Sequence, residues 1–181
     1  EPGYALVTYQ PTGVILGIQP WNFPLYQVMR YSITNIVAGN TTVMKHASNV
    51  FGMAEKIQEM YEEAGFPKNC YQSLLIDGKT ASKLISHPKI SGVTFTGSDG
   101  VGKTVSEEAA KHAKKTLLEL GSNDAYMVLD DADIELAVKT CVEARVINNG
   151  ETCVSAKRFI VTDKNYDAFK KAFVEAMGNL T

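Results

Sequence analysis

An α/β fold, with a mainly parallel sheet and helices on both faces, is predicted for this chain by three observations. Short β-rich runs alternate with helical patterns along its length, the order that builds β-α-β crossovers. Turn residues punctuate the junctions, as in Pro11-Thr12-Gly13, Gly39-Asn40 and Gly65. The composition, 45% hydrophobic and 21% charged over 181 residues, is that of a globular chain with one full domain and part of another.

The elements follow in order. Tyr4–Gln10 and Val14–Gln19 read as strands on either side of the Pro11-Thr12-Gly13 turn. Leu25–Ala38 reads as a helix opened by Pro24 and stopped at Gly39-Asn40. Thr42–Lys45 is a short strand, and Val50–Ala64 a helix with Val50, Ala54, Ile57, Tyr61 and Ala64 on one face. Strand Tyr71–Ile76, short helix Thr80–Ser86, strand Gly92–Thr96 and helix Val101–His112 come next. Strands Thr116–Leu120 and Tyr126–Leu129, helix Ile134–Ile147, strand Arg158–Val161 and helix Tyr166–Met177 complete the chain. This is a Rossmann-like order, and such sheets bind ligands at the carboxyl ends of their strands. The loops of interest are therefore Pro20–Pro24, Lys45–Asn49, Thr96–Gly102 and Glu119–Asn123, with the polar turn Asn148–Thr152. That turn is the expected boundary, between a first domain at 1–147 and the start of a second at 148–181.

Composition excludes several function classes. Eighteen basic and twenty acidic side chains leave a net charge of −2, with no basic surplus to neutralise a nucleic-acid backbone. No apolar run approaches the ~20 residues that span a bilayer, so no membrane partner is expected. No secretory leader is expected, and because the chain opens on Glu1 it is expected to be a piece or a processed form. Three cysteines (Cys70, Cys141, Cys153) make no disulfide framework and point to a reducing, cytoplasmic setting. His46, His87 and His112 are too scattered for a structural zinc site, and no metal is expected.

Four stretches could carry chemistry. Cys153 follows the glycine-containing turn Asn148-Asn149-Gly150-Glu151-Thr152, where a thiol can meet a substrate. A free thiol titrates near ~8.5, so as a nucleophile it needs a base, a cation or a helix N-terminus beside it; a free cysteine without a role is the alternative. Glu119 ends an apolar strand before Gly121, a fitting place for a general base or for an ordinary turn carboxylate. In Pro20-Trp21-Asn22-Phe23-Pro24 two prolines stiffen the backbone around an amide, which suits an oxyanion donor and equally a rigid turn. Gly97–Thr104 fits G-x-x-x-x-G-K-[ST], the phosphate-cradling P-loop, between a strand and a helix. Tyr126–Asp130 then ends in an aspartate, as the magnesium-binding partner of a P-loop NTPase would. With or without that motif, the helix N-terminus there suits a phosphate.

Taken in order, these segments resemble the motifs of the aldehyde dehydrogenase superfamily. Pro20–Pro24 is similar to its oxyanion segment, Val43-Met44-Lys45-His46-Ala47 to its adenosine-ribose segment and Phe95-Thr96-Gly97-Ser98 to its pyrophosphate turn. Leu118-Glu119-Leu120-Gly121 resembles the general-base motif and Asn148–Cys153 the nucleophile motif. The resemblance implies a dinucleotide-binding domain at 1–147 and the truncated start of a catalytic domain at 148–181. It implies Cys153 as nucleophile, Glu119 as the base that activates water, and Asn22 as oxyanion donor. Lys45, Ser48, Gly97, Ser98 and Trp21 would bind the cofactor, NAD or NADP. It implies a homo-oligomeric parent protein, and it makes the P-loop match a chance one.

Departures from the family pattern are Ser122 in place of a second glycine and Glu151 in place of glutamine. The chain also lacks an N-terminal segment, an oligomerisation strand and most of a catalytic domain, so an isolated piece need not be active; a non-catalytic dinucleotide-binding fragment is the rival reading. Ser48 stands where NAD-preferring members carry a glutamate, so NADP is expected to be accepted, with His46 adding charge to the 2′-phosphate when protonated. Arg30 stands where relatives that oxidise succinate semialdehyde place an arginine, able to pair with the far carboxylate or simply to be solvated. The second arginine of some such enzymes is Ile147 here. Succinate semialdehyde is the expected substrate.

Overall fold

The computed structural model describes residues 3–180. Its contacts fall into two compact units, 1–120 and 121–181. The boundary expected at 147/148 lies inside the second unit, because the helix before it packs against the last helix of the chain.

The first unit is a five-stranded sheet, every pairing parallel. Its strands are β1 (Val14–Gln19), β2 (Thr41–His46), β3 (Tyr71–Leu74), β4 (Ile90–Thr96) and β5 (Lys115–Glu119). Their spatial order is β3-β2-β1-β4-β5. The crossover helices are α1 (Tyr26–Val37), α2 (Phe51–Glu63), α3 (Gly78–Ile85) and α4 (Asp99–Lys111). Alternation along β1 and β2 sorts the side chains onto two faces. Leu16 packs with Ile85, Val93, Phe95, Val105 and Ala109 under α3 and α4. Ile15 and Met44 pack with Val28, Tyr31, Ile57 and Tyr61 under α1 and α2. Helices thus cover both faces, as expected for a Rossmann-like sheet.

From β1 the chain winds outward through β2 and β3, then returns to the other side of β1 for β4 and β5. The winding reverses between β1 and β4, where a crevice opens at the strand ends of such sheets. The second unit is one more crossover: β6 (Ala125–Val128), α5 (Ile134–Val146), β7 (Arg158–Val161) and α6 (Asp163–Gly178), with β6 and β7 parallel. Its core gathers Val128, Cys141, Val142 and Phe169.

Two expectations fail. Tyr4–Gln10 is not a strand; among the described residues nothing pairs with it, and Tyr4, Leu6, Val7 and Tyr9 are exposed. Its alternation is strand-like, but a strand needs a neighbour to satisfy its backbone groups. The P-loop is not formed either. Helix α4 already starts at Asp99, so Asp99–Gly102 is helix rather than a loop that could wrap phosphates. A Cβ on Gly102 would lie 2.4 Å from the Leu120 side chain, so that glycine serves close packing. Lys103 is exposed.

Candidate active site

Four loops of the first unit leave the carboxyl ends of adjacent strands. The segment Pro20–Pro24 follows β1 and runs into α1, where the Phe23 carbonyl accepts from the Gln27 N–H at 3.0 Å. Trp21 is exposed and Asn22 half-buried. Lys45 is the penultimate residue of β2. Burial pulls its pKa below the usual lysine value, and the Asp77 carboxylate opposes that shift. Ser48 is exposed on the short 3-10 turn Ser48–Val50 that follows. Gly97 and Ser98 follow β4, and Ser98 occupies the N-cap position of α4 without capping it through its side chain. Glu119 ends β5, and its backbone carbonyl accepts from the Gly97 N–H at 3.0 Å. Strand order thus gathers Trp21, Asn22, Lys45, Gly97, Ser98 and Glu119 on one rim of the sheet.

A cleft of about 510 Å³ opens on the α1 side of β1, β4 and β5, walled by Gln19, Gln27, Arg30, Tyr31, Thr94 and Glu119 among others. Across it the Arg30 guanidinium donates to Glu119 Oε1 at 3.1 Å. The side chains are 53% and 46% exposed, and a pair this open to water contributes only ~0–1 kcal/mol. Arg30 is thus exposed, with the Glu119 carboxylate as a weakly held partner.

His46 departs from its expected place. It is fully buried, because the period-two alternation of β2 turns it to the face opposite Lys45. Its ring contacts the Pro24 carbonyl through Nε2 at 2.8 Å and the Ala47 N–H through Nδ1 at 3.1 Å. Burial holds its pKa below the ordinary value against the opposing backbone contacts of Pro24 and Gln19. The ring is thus turned inward, away from solvent.

In the second unit the stretch before Cys153 forms a left-handed turn. Asn148, Asn149 and Gly150 all have positive φ, at 51°, 55° and 75°, which asparagine and glycine tolerate best. The Thr152 hydroxyl donates to the Ile147 carbonyl at 3.1 Å, and Arg145 donates to the Gly150 carbonyl at 3.2 Å. Cys153 is half-buried. Its own carbonyl accepts from the Ser122 hydroxyl at 2.6 Å and the Lys157 ammonium at 2.9 Å. The single Ser122 proton is shared with Asp124 Oδ2 at 2.8 Å. These anchors were not foreseen; Ser122 was visible only as a departure from a glycine, and nothing in the spacing marks Lys157. Cys141 and Cys70 are buried in the two cores.

Among the described residues no three His, Cys, Asp or Glu gather as a metal site needs. No helix among them is long and apolar enough to cross a membrane.

The chain is similar to proteins of known sequence and structure. The NADP(+) succinate-semialdehyde dehydrogenase of Mycolicibacterium paratuberculosis is 44% identical over 173 residues, 96% of this chain and 37% of that protein. Sad of Escherichia coli, a NAD(P)+ succinate semialdehyde dehydrogenase, is 44% identical over 180 residues, 99% of this chain and 39% of that one. The crystal structure of succinic semialdehyde dehydrogenase from Streptococcus pyogenes, in complex with NADP+, superposes with a TM-score of 0.88 at 44% identity, covering 92% of this chain and 36% of that one. The chain therefore spans 37–39% of the length of these curated relatives. The aldehyde dehydrogenase family profile matches residues 2–181, and with motif, sheet order and sequence in agreement, the chain belongs to the aldehyde dehydrogenase family.

Proposed function

We propose that this chain supplies the cofactor-binding and nucleophile-bearing parts of an NAD(P)-dependent aldehyde dehydrogenase, with succinate semialdehyde as the substrate and succinate as the product. The observation that carries the reading is the convergence of Asn22, Lys45, Ser98 and Glu119 on one rim of a parallel sheet, in a chain whose relatives bear that activity in their names. The functional division is cofactor binding at 1–147 and the beginning of the catalytic part at 148–181; it groups residues by role, whereas the compact units group them by contact.

The Cys153 thiolate adds to the aldehyde carbon and makes a thiohemiacetal. The Asn22 amide donates to the oxyanion that forms. A nicotinamide dinucleotide held by this chain would supply the hydride acceptor that lets the oxyanion collapse to a thioester. Glu119 takes a proton from water, the hydroxyl adds to the thioester carbon, and the acid departs as Cys153 is restored. Lys45 and Ser48 would hold the adenosine ribose of the cofactor, Trp21 would help to bind it, and Gly97 and Ser98 at the start of α4 would take the pyrophosphate. A serine rather than a carboxylate at position 48 spares a 2′-phosphate from repulsion, which supports NADP beside NAD.

Arg30 is the substrate-carboxylate partner. Its exposed contact with Glu119 is weak enough for a second carboxylate to replace it. The parent protein is a cytoplasmic homo-oligomer in this reading.

Thermal unfolding of the chain in NADP, NAD and Mg-ATP tests the proposal, since a ligand that binds only the native state raises the midpoint. A rise with either dinucleotide and none with Mg-ATP is expected. A cooperative transition that neither dinucleotide moves would overturn the cofactor assignment. Dinucleotide binding without turnover, in a protein of the relatives' full length, would favour the non-catalytic alternative.

A further inference from the structure

Among the buried titratable groups, His46 has no part in the chemistry above, yet it touches the segment on which that chemistry depends. The Ala47 N–H points at Nδ1, so Nδ1 is an acceptor and carries no proton. The ring proton is then on Nε2, which donates to the Pro24 carbonyl at 2.8 Å. Pro24 closes the Pro20–Pro24 segment, and Asn22 lies two residues before it. On the α1 side of the segment, the Phe23 carbonyl accepts from the Gln27 N–H. His46 itself is the last residue of β2, next to Lys45.

We propose that His46 is a positioning residue, whose buried imidazole donates from Nε2 to the Pro24 carbonyl and so ties the segment carrying Asn22 to the end of the strand carrying Lys45. An oxyanion donor acts well only if it is already aimed before charge develops. The hydrogen bond is buried on the histidine side, where a donor must be satisfied and a lost partner is expensive. The β1–β2 ladder already sets Gln19 beside His46, and the imidazole adds a second tie beyond the strand end, at Pro24. The consequence for catalysis rests on Asn22 as the oxyanion donor, as proposed above; the tether itself does not.

Trp21 is the only tryptophan of the chain and sits within the tethered segment, so it reports on the segment directly. The experiment measures acrylamide quenching of Trp21 in the wild-type chain, in His46→Phe and in His46→Gln. Phenylalanine fills the ring's space without a donor, while the glutamine amide nitrogen takes the place of Nε2. The Phe variant is expected to raise the quenching constant roughly twofold or more, in keeping with loss of one buried hydrogen bond. The Gln variant is expected to stay near the wild-type value. Equal quenching in a folded Phe variant and the wild type would show that the ring is core filling only and overturn the proposal.

Long-range proton–nitrogen NMR of the wild-type imidazole supplies a second reading that needs no variant. A proton on Nε2 with a bare Nδ1 at neutral pH is expected; a proton on Nδ1 would overturn the proposal even if His46→Phe failed to fold. Neither measurement needs cofactor or turnover, so either can fail while the dehydrogenase reading stands.

Discussion

At the scale of single residues, the turn that carries Cys153 is held through its backbone rather than through the thiol. Ser122 and Lys157 both donate to the Cys153 carbonyl. Ser122→Ala should therefore lower unfolding free energy by about 0.5–1.5 kcal/mol, the net worth of an ordinary hydrogen bond, read as a shift of the urea midpoint with the slope unchanged. An unmoved midpoint would mean that Lys157 alone suffices. Asn22 carries the sharper catalytic prediction. In a catalytically complete enzyme Asn22→Ala should lower kcat by about 10²–10³-fold, or roughly 2.7–4 kcal/mol, the usual effect of removing one oxyanion donor. A wild-type kcat would remove Asn22 from that role.

At the scale of elements, one aromatic side chain of α1 both packs against the sheet and hydrogen-bonds to it. Tyr31 is nearly fully buried and donates to the Ile15 carbonyl of β1 at 2.7 Å, with the Val43 carbonyl of β2 at 3.2 Å. The ring fits because position 17 is glycine; a Cβ there would lie 2.4 Å from Cε1 of Tyr31. Gly17→Ala should push the ring off both carbonyls and destabilise the chain by about 1–3 kcal/mol, as overpacking does. The measurement is denaturant unfolding, and a midpoint equal to wild type would mean that α1 adjusts without strain. Because Arg30 precedes Tyr31 on the same helix, the geometry of the Arg30–Glu119 contact depends on this seating.

At the scale of the whole molecule, buried titratable groups bound the pH range of stability. His46 has a folded-state pKa below its ordinary value because it is buried, while in the unfolded chain it takes up a proton near pH ~6.5. Below that pH the unfolded state binds more protons than the folded one, so stability is full above about 6.5 and falls as pH falls toward the lower folded value. Urea midpoints between pH 7 and 5 should decline, and less steeply in His46→Gln; equal slopes would contradict the burial. Tyr31 and Tyr71 act at the other end, each raised chiefly by burial. Both stay protonated in the folded state, so their contribution is full below about pH 10 and is lost above it. Most of the architecture was legible in the sequence, because apolar periodicity, helix stops and turn residues are local signals. Residues such as Asn148, Asn149 and Gly150 mark a turn by type alone, while its left-handed backbone is seen only in the structure. What only the tertiary structure decided depends on which strand lies beside which. Tyr4–Gln10 has strand alternation but no strand partner among the described residues, and the Gly97–Thr104 match is helix from Asp99 onward. His46 looked like a cofactor contact beside Lys45, yet alternation in a covered strand turns it inward. The Arg30–Glu119 and Ser122–Cys153 contacts join residues 89 and 31 positions apart. No local pattern encodes such pairs, since they exist only once register and strand order bring the two segments to the same place.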